Sequence, residues 1–316
     1  MVRTVFKVIR PVFKKGIRFY VEIRVWSRKV LLPSDYNLNQ AIMTTTELQL
    51  KVKSSGQFLN IFQLTKEEGR YACQGNTPTT DNFVWTLIES NTNPGWYLLK
   101  VKYSGMYLNV LGNKSNNGDA TGQNSLTNED AAPDNFLWRL TNAPKNPGWC
   151  YLQVKSSNQY LNVLSASNEN GALACQGVDN STDNFLWQIN FIGENVEAHT
   201  ITVSATIANP FPPTLADDEG HQANTADGDK NMLTLVGPGD VITWQKGGNI
   251  SSLDNVFETA GTDLFIVDPS QENNGTWVGI VGSLPADTEE DYSITYTIQG
   301  NSHTQDPKLR MQPRNR

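Results

Sequence analysis

Cysteine and histidine are scarce, with three of each in 316 residues. Cys73, Cys150 and Cys175 are scattered and form no C-x-x-C pair, which excludes a disulfide framework and a cysteine-based zinc site. They read as small buried apolar residues in a reducing setting. His199, His221 and His303 stand apart along the chain, and no G-x-S-x-G occurs. With no nucleophile–base arrangement to be found, no enzyme, no catalytic residue and no cofactor is expected. A run of 18 apolar residues is also missing, so no membrane-spanning helix is expected.

Positive charge is unevenly supplied. The formal net charge is −7, but residues 1–42 hold nine of the 25 Lys/Arg and only Glu22 and Asp35 of the 32 acids. That leaves 16 basic against 30 acidic residues in 43–316, a net of −14. An acidic body cannot neutralise phosphates, so no nucleic-acid partner is expected. The basic segment MVRTVFKVIRPVFKKGIRFYVEIRVWSRKV is interrupted by charge every few residues and lacks the continuous apolar core of a secretory signal. The reading favoured for 1–42 is an extension outside the fold, such as an over-called gene start. A mitochondrial-type leader and a basic strand or membrane-surface segment are the alternatives. Met43 opens MTTTELQLKVK, which leads into the ordered pattern. A cytoplasmic protein, or one released without a signal peptide, is expected; oligomeric state is left open.

What the sequence does have is self-similarity. DNFVW at 81–85 returns as DNFLW at 134–138 and 183–187. Around these, LKVKSSGQFLNIF (50–62), LKVKYSGMYLNVL (99–111) and LQVKSSNQYLNVL (152–164) fall into register, followed by YACQG (71–75), ATGQN (120–124) and LACQG (173–177). Leu59, Leu108 and Leu161 are 49 and 53 residues apart, whereas Trp85, Trp138 and Trp187 are 53 and 49 apart. Four extra residues therefore lie after Gln123, and an insertion that leaves both flanks in register predicts a surface loop. Each block reads as four strands: an alternating strand, a Ser-Gly or Ser-Asn turn, a returning Phe/Tyr-Leu-Asn strand, a strand ending at the Gln, and F-x-W-x-L/I. The alternation puts Phe, Trp and Leu/Ile of the last strand on one buried face, with the three Trp as wedges in one threefold core.

Three such units resemble the β-trefoil of the ricin B-chain-like lectin family, over roughly 46–190. The residues that carry the resemblance are SGMYLNV (104–110), NG (117–118) and DNFLWRL (134–140), with their counterparts in the other blocks. The resemblance implies a shallow sugar site in each repeat. Its acid-or-amide position is held by Asn60, Asn109 and Asn162. Its Gln is Gln74, Gln123 and Gln176, and its turn Asn is Asn82, Asn135 and Asn184. The stacking aromatic is not matched, because Gly75, Asn124 and Gly177 stand in its place. An alternative reading gives these amides to backbone groups in tight turns.

After Ile192 the pattern changes. HTITVSATI (199–207), MLTLV (232–236), DVITWQK (240–246), DLFIV (263–267), TWVGIVG (276–282) and YSITYTIQ (292–299) read as short strands between polar turns, the pattern of a β-sandwich. GDVITW (239–244), YSITYTI (292–298) and DPKL (306–309) weakly resemble bacterial inclusion-body-type proteins with an immunoglobulin-like sandwich. The copper ligands of sandwich proteins are missing. In the acidic loop 216–231, Asp227, Asp229 and Asn231 imitate the start of a calcium loop, but Met232 stands where Gly is required and no Glu follows at position twelve, so no metal is expected there. The expectation is thus an all-β chain: an extension (1–42), a β-trefoil (43–192) and an immunoglobulin-like β-sandwich (193–316). Its expected function is glycan or glycoprotein binding. The alternatives are a pore-forming lectin toxin, for which the alternating runs are short, and a protease-inhibitor or other protein-interaction trefoil.

Overall fold

In the computed structural model, which describes residues 47–312, each of the three blocks folds into four strands. The extension 1–42 and the start at Met43 lie outside the described residues. The first block gives β1 (Glu47–Val52), β2 (Phe58–Ile61), β3 (Ala72–Gly75) and β4 (Trp85–Glu89). The second gives β5 (Tyr97–Val101), β6 (Tyr107–Val110), β7 (Thr121–Asn124) and β8 (Trp138–Asn142). The third gives β9 (Cys150–Val154), β10 (Tyr160–Val163), β11 (Ala174–Gly177) and β12 (Trp187–Phe191). Alternation in β1 buries Leu48, Leu50 and Val52 completely while Glu47, Gln49 and Lys51 stay partly exposed, the period-2 outcome that the sequence pattern demands.

The first and last strands of the blocks close a six-stranded barrel through the pairings β1–β4, β4–β5, β5–β8, β8–β9, β9–β12 and β12–β1. The hairpins β2–β3, β6–β7 and β10–β11 cap one end and touch through Tyr71–Gly122, Cys73–Leu173 and Ala120–Cys175 bridges. This is a β-trefoil. Gly56, Gly105 and Asn158 turn the chain between the first two strands of each block, with φ of 70°, 73° and 58°. Glycine and asparagine tolerate that left-handed region best, which is why Ser-Gly and Ser-Asn recur there.

Trp85, Trp138 and Trp187 are fully buried in one core, and each Nε1 donates to a leucine carbonyl of its own block: Leu59 at 3.1 Å, Leu108 at 3.1 Å and Leu161 at 3.0 Å. The neighbouring phenylalanines are placed differently from the expectation. Phe83, Phe136 and Phe185 close 3₁₀ turns (Asp81–Phe83, Asp134–Phe136, Asp183–Phe185) just before the strand begins, and they pack outside the tryptophan core. The turn hydrogen bonds, for example Phe83 N to Thr80 O at 3.0 Å, override the extended reading of F-x-W. The insertion after Gln123 is indeed a largely exposed loop, with its own short 3₁₀ turn (Glu129–Ala131) capped by Asn128. All three cysteines are buried. Burial pushes the thiols of Cys73 and Cys150 up to about 12 and that of Cys175 to about 11, so none is a ready thiolate at neutral pH.

The second half is an immunoglobulin-like sandwich of two sheets. One contains β13 (Ala198–Ala205), β14 (Thr214–Asp217), β15 (Gln222–Ala223), β17 (Val241–Gly248), β19 (Phe265–Gln271) and β20 (Trp277–Val281). The other contains β16 (Leu233–Val236), β18 (Ser252–Gly261), β21 (Glu289–Ile298), β22 (Asn301–Gln305) and β23 (Lys308–Met311). All six expected runs are strands. Five more are strands that sequence did not reveal; β18, for instance, is mostly exposed and so has no alternation to betray it. The pairings β13–β17 and β16–β23 are parallel, the rest antiparallel. Ile201, Val203, Trp244, Tyr292, Ile294 and Tyr296 form the inter-sheet core. Val267 and Ile280 of this half join the trefoil core beside Phe191, and buried Asn142 donates to Ser270 Oγ at 2.9 Å and Glu272 Oε1 at 3.0 Å. Among the described residues, no helix is long and apolar enough to cross a membrane.

Candidate functional site

The nine amides read from the repeat divide into two sets: in each block the two asparagines lie together, whereas the glutamine, one residue on from the position paired with the first asparagine, points to the other face of the hairpin. Each asparagine pair sits where a cap hairpin meets the 3₁₀ turn of its own block. Asn60 Nδ2 donates to Cys73 O at 3.1 Å, Asn109 Nδ2 to Gly122 O at 3.2 Å and Asn162 Nδ2 to Cys175 O at 3.1 Å, each locking its hairpin. Asn82, Asn135 and Asn184 donate to Ile61 O, Val110 O and Val163 O at 2.8, 2.9 and 2.8 Å, fastening the turn to the end of the second strand. In the first and third blocks the two asparagines also meet, Nδ2 to Oδ1, at 3.4 Å.

The glutamines act between blocks. Gln74 Nε2 donates to Ser167 O at 2.8 Å and Glu169 O at 2.9 Å, in the third block. Gln123 Nε2 donates to Thr65 O at 3.0 Å and Glu67 O at 2.8 Å, in the first. Gln176 Nε2 donates to Lys114 O at 3.2 Å and Asn116 O at 3.0 Å, in the second. Each Oε1 accepts from a serine of its own block: Ser55 at 2.6 Å, Ser104 at 2.7 Å and Ser157 at 2.7 Å. The three glutamines thus form a cyclic clamp. All nine amides are buried, the glutamines completely. As a set they satisfy the backbone carbonyls that a cap with so little regular sheet leaves over.

The place of the missing stacking aromatic is also explained. A Cβ on Gly75 would lie 2.7 Å from the Phe83 ring and 2.8 Å from Asn60 Nδ2; one on Gly177 would lie 2.7 Å from Asn162 Nδ2 and 2.9 Å from the Phe185 ring. The turn phenylalanine and the first asparagine therefore both lie against the glycine. The sequence signal was present as Gly at 75 and 177 paired with Phe at 83 and 185, but it needed the 3₁₀ turn to become readable. The second block differs. Asn124 replaces the glycine, donates to Asn109 Oδ1 at 3.3 Å and accepts from Gly69 N at 2.7 Å. Pro133 replaces the threonines whose hydroxyls donate to Asn82 Oδ1 at 2.5 Å and Asn184 Oδ1 at 2.6 Å, so the Asn135 oxygen has no such donor.

A separate cleft of about 1210 Å³ opens between the two halves, lined by Glu89, Tyr97 and Arg139 on the trefoil side and Asp263, Asp268 and Pro269 on the sandwich side. None of the nine amides lines it.

Residues 38–124 and 134–229, more than half the chain, match the ricin-type beta-trefoil lectin domain-like family. The chain belongs to this family. No curated protein matches it. Among solved structures it is similar to a designed threefold-symmetric protein, ThreeFoil, at 26% identity over 46% of this chain and 99% of that one, with a TM-score of 0.42. It is also similar to the Rhizoctonia solani agglutinin (16% identity, 52% and 99% covered, TM-score 0.41) and to the C-half of an earthworm R-type lectin solved with GalNAc (15%, 46% and 98%, 0.34). Membership in the lectin-domain family supports a carbohydrate-binding role.

Proposed function

We propose that the chain is a non-enzymatic carbohydrate-binding protein of glycans or glycoproteins. In this reading a trefoil domain over 43–192 carries one weak site per repeat, and a sandwich domain over 193–316 is accessory. The observation that supports it is the threefold recurrence of Asn60, Gln74 and Asn82 as Asn109, Gln123 and Asn135 and as Asn162, Gln176 and Asn184, in a lectin-type trefoil. The geometry accounts for weakness. The amide nitrogens are already donated to protein carbonyls, and the Phe83 and Phe185 rings fill the space beside Gly75 and Gly177. A sugar there gains little apolar contact and few new hydrogen bonds, so a millimolar-scale constant, worth about 4 kcal/mol, is expected per site. Multivalent glycans engaging several repeats would supply the useful affinity.

The second repeat is the strongest of the three in this reading, because Asn135 keeps an acceptor oxygen without a threonine donor and Asn124, though bonded to Asn109 and Gly69, puts a partly exposed amide where the others have glycine. The experiment is an NMR titration of ¹⁵N-labelled protein with mono- and multivalent galactose-type ligands, preceded by a glycan array. Shifts centred on the Asn109, Asn124 and Asn135 side-chain amides, reduced at least a few-fold in affinity by Asn124→Ala, are expected. Shifts confined to the cleft around Tyr97 and Asp263 would remove the trefoil sites while keeping carbohydrate binding, and no response to any glycan would favour a protein-interaction role.

A further inference from the structure

The histidines that stand far apart in sequence meet at one corner of the sandwich. β13 and β14 pair antiparallel with Ile201 opposite Asp217, so the start of one strand faces the turn that follows the other. This places His199, 22 residues upstream of His221, beside the 217–221 turn. His221 Nδ1 lies 2.9 Å from Asp217 Oδ2 and 3.8 Å from Glu219 Oε2, and the ligand atoms of Asp217, Glu219 and His221 all lie within 4.8 Å of one another. The second oxygen of Glu219, Oε1, lies 3.8 Å from His199 Nδ1. One carboxylate thus faces two imidazoles.

His199 provides an independent observation. Its side chain is only 5% exposed, and its Nε2 lies 3.2 Å from the buried Asp240 Oδ2. That carboxylate oxygen, which also accepts from Gly237 N, can only accept, so Nε2 is the donor in this contact. Nδ1 is turned toward the cluster. Its nearest neighbours there are Asp218 Oδ1 at 3.6 Å and Glu219 Oε1 at 3.8 Å, beyond direct hydrogen-bond reach, so the positive charge these carboxylates attract is a proton on the ring or a cation bound in its place. Asp217, Asp218 and Glu219 pair with no lysine or arginine among the described residues. A buried imidazole held by a carboxylate on one nitrogen, with the other aimed at further carboxylates, is the outer-shell arrangement that orients histidines toward metals. Around zinc, N and O ligands at about 2.0–2.2 Å from the ion lie roughly 3–4 Å from one another, which the present spacings approach.

We propose that Asp217, Glu219 and His221, with His199 as the adjoining donor, bind one divalent cation of the zinc class at the turn between β14 and β15. The mix of imidazole and carboxylate favours a borderline transition ion over calcium, which takes oxygen ligands only. The cation would tie the turn to the strand that begins the sandwich. That strand is itself anchored by Glu197 N donating to Asp240 Oδ1 at 2.8 Å.

The test uses the full chain, stripped with a chelator and titrated with Zn²⁺ by calorimetry, with metal content read by mass spectrometry. One equivalent of zinc, with micromolar or tighter affinity and a thermal midpoint that rises on binding, is expected. His221→Ala and Glu219→Gln change partly exposed side chains and should each weaken binding at least tenfold with the apo fold intact. His303→Ala, which alters a ring stacked between Phe211 and Tyr296, serves as control and should bind like wild type. His199→Gln should weaken binding as well; if it fails to fold, the two exposed variants still decide. Absence of zinc uptake by folded wild type, or equal uptake by wild type, His221→Ala and Glu219→Gln, would overturn the site and leave a metal-free ion-pair cluster.

Discussion

Replacing Gln74 by Ala is the sharpest probe of what the repeated amides do. The fully buried side chain accepts from Ser55 Oγ at 2.6 Å and donates to Ser167 O and Glu169 O at 2.8 and 2.9 Å. Three hydrogen bonds at about 0.5–1.5 kcal/mol each suggest a loss of about 2–4 kcal/mol. The lower part of that range applies if the loop carbonyls at 167 and 169 turn to water. Gln123→Ala and Gln176→Ala should fall in the same range. Gln176→Ala should be the mildest, because its donations, at 3.2 and 3.0 Å, are the longest. The assay is urea unfolding followed by tryptophan fluorescence, with amide exchange across residues 164–172. Ser55→Ala removes two bonds, the donation to Gln74 Oε1 and the acceptance from Gln57 N at 3.2 Å, and should cost about 1–3 kcal/mol. Were Gln74→Ala to cost under about 0.5 kcal/mol with loop exchange unchanged, below the range for even one bond, the clamp reasoning would be refuted.

Trp85→Ala, Trp138→Ala and Trp187→Ala should each destabilise by about 3–5 kcal/mol in the same unfolding assay, and one value well below the others would break the threefold equivalence. Gly75→Ala should cost about 1–3 kcal/mol by overpacking, and a double-mutant cycle with Phe83→Leu should return positive coupling; additive effects would mean the ring does not press on the glycine. Buried Glu290 has its carboxyl pushed up by burial to about 8 from an ordinary 4.5, although Leu264 N donates to it at 2.7 Å and pulls the other way. The fold therefore prefers the protonated form. Stability from this group is full below about pH 4.5 and is lost as pH rises toward 8, by a few kcal/mol at most. Glu290→Gln should remove that slope and be the more stable protein at pH 8; parallel stability curves for the two proteins between pH 5 and 8 would sink this assignment.

The trefoil was legible because a threefold fold writes the same demand three times. Leu59, Leu108 and Leu161 align because each side chain is fully buried in the same core, while its main-chain carbonyl receives the tryptophan Nε1. The sandwich was less legible, since it offers one copy of everything. β13 and β21 announced themselves by alternation, whereas β18 and β22 are edge-like and mostly exposed, and packing asks little of their sequence. The parallel pairings were not readable at all, because Ala198–Val241 contact depends on how loops return the chain rather than on local pattern. Phe83 was misplaced for a different reason. F-x-W obeys the strand period by coincidence, and only the Thr80–Asp81 turn hydrogen bonds show that the strand starts two residues later.

The amides raise the harder question, because a binding constellation and a structural clamp produce the same repeated letters. The two demands separate where the copies disagree. A purely structural demand holds all three copies to the same partners, and Gln74, Gln123 and Gln176 obey it: serine on one end, two loop carbonyls of another block on the other. The asparagine positions do not. The first and third blocks share Thr80 and Thr182, Gly75 and Gly177, Phe83 and Phe185, and near-identical distances. The second has Pro133, Asn124 and the 125–132 insertion, yet keeps Asn109 and Asn135 on the same carbonyls. Since the cap closes equally well with and without the threonine donor, that donor is not required for folding, and the oxygen it would occupy on Asn135 is left available. Variation that packing does not explain, beside a frame that packing does explain, is what distinguishes the second repeat as the place to look for the ligand.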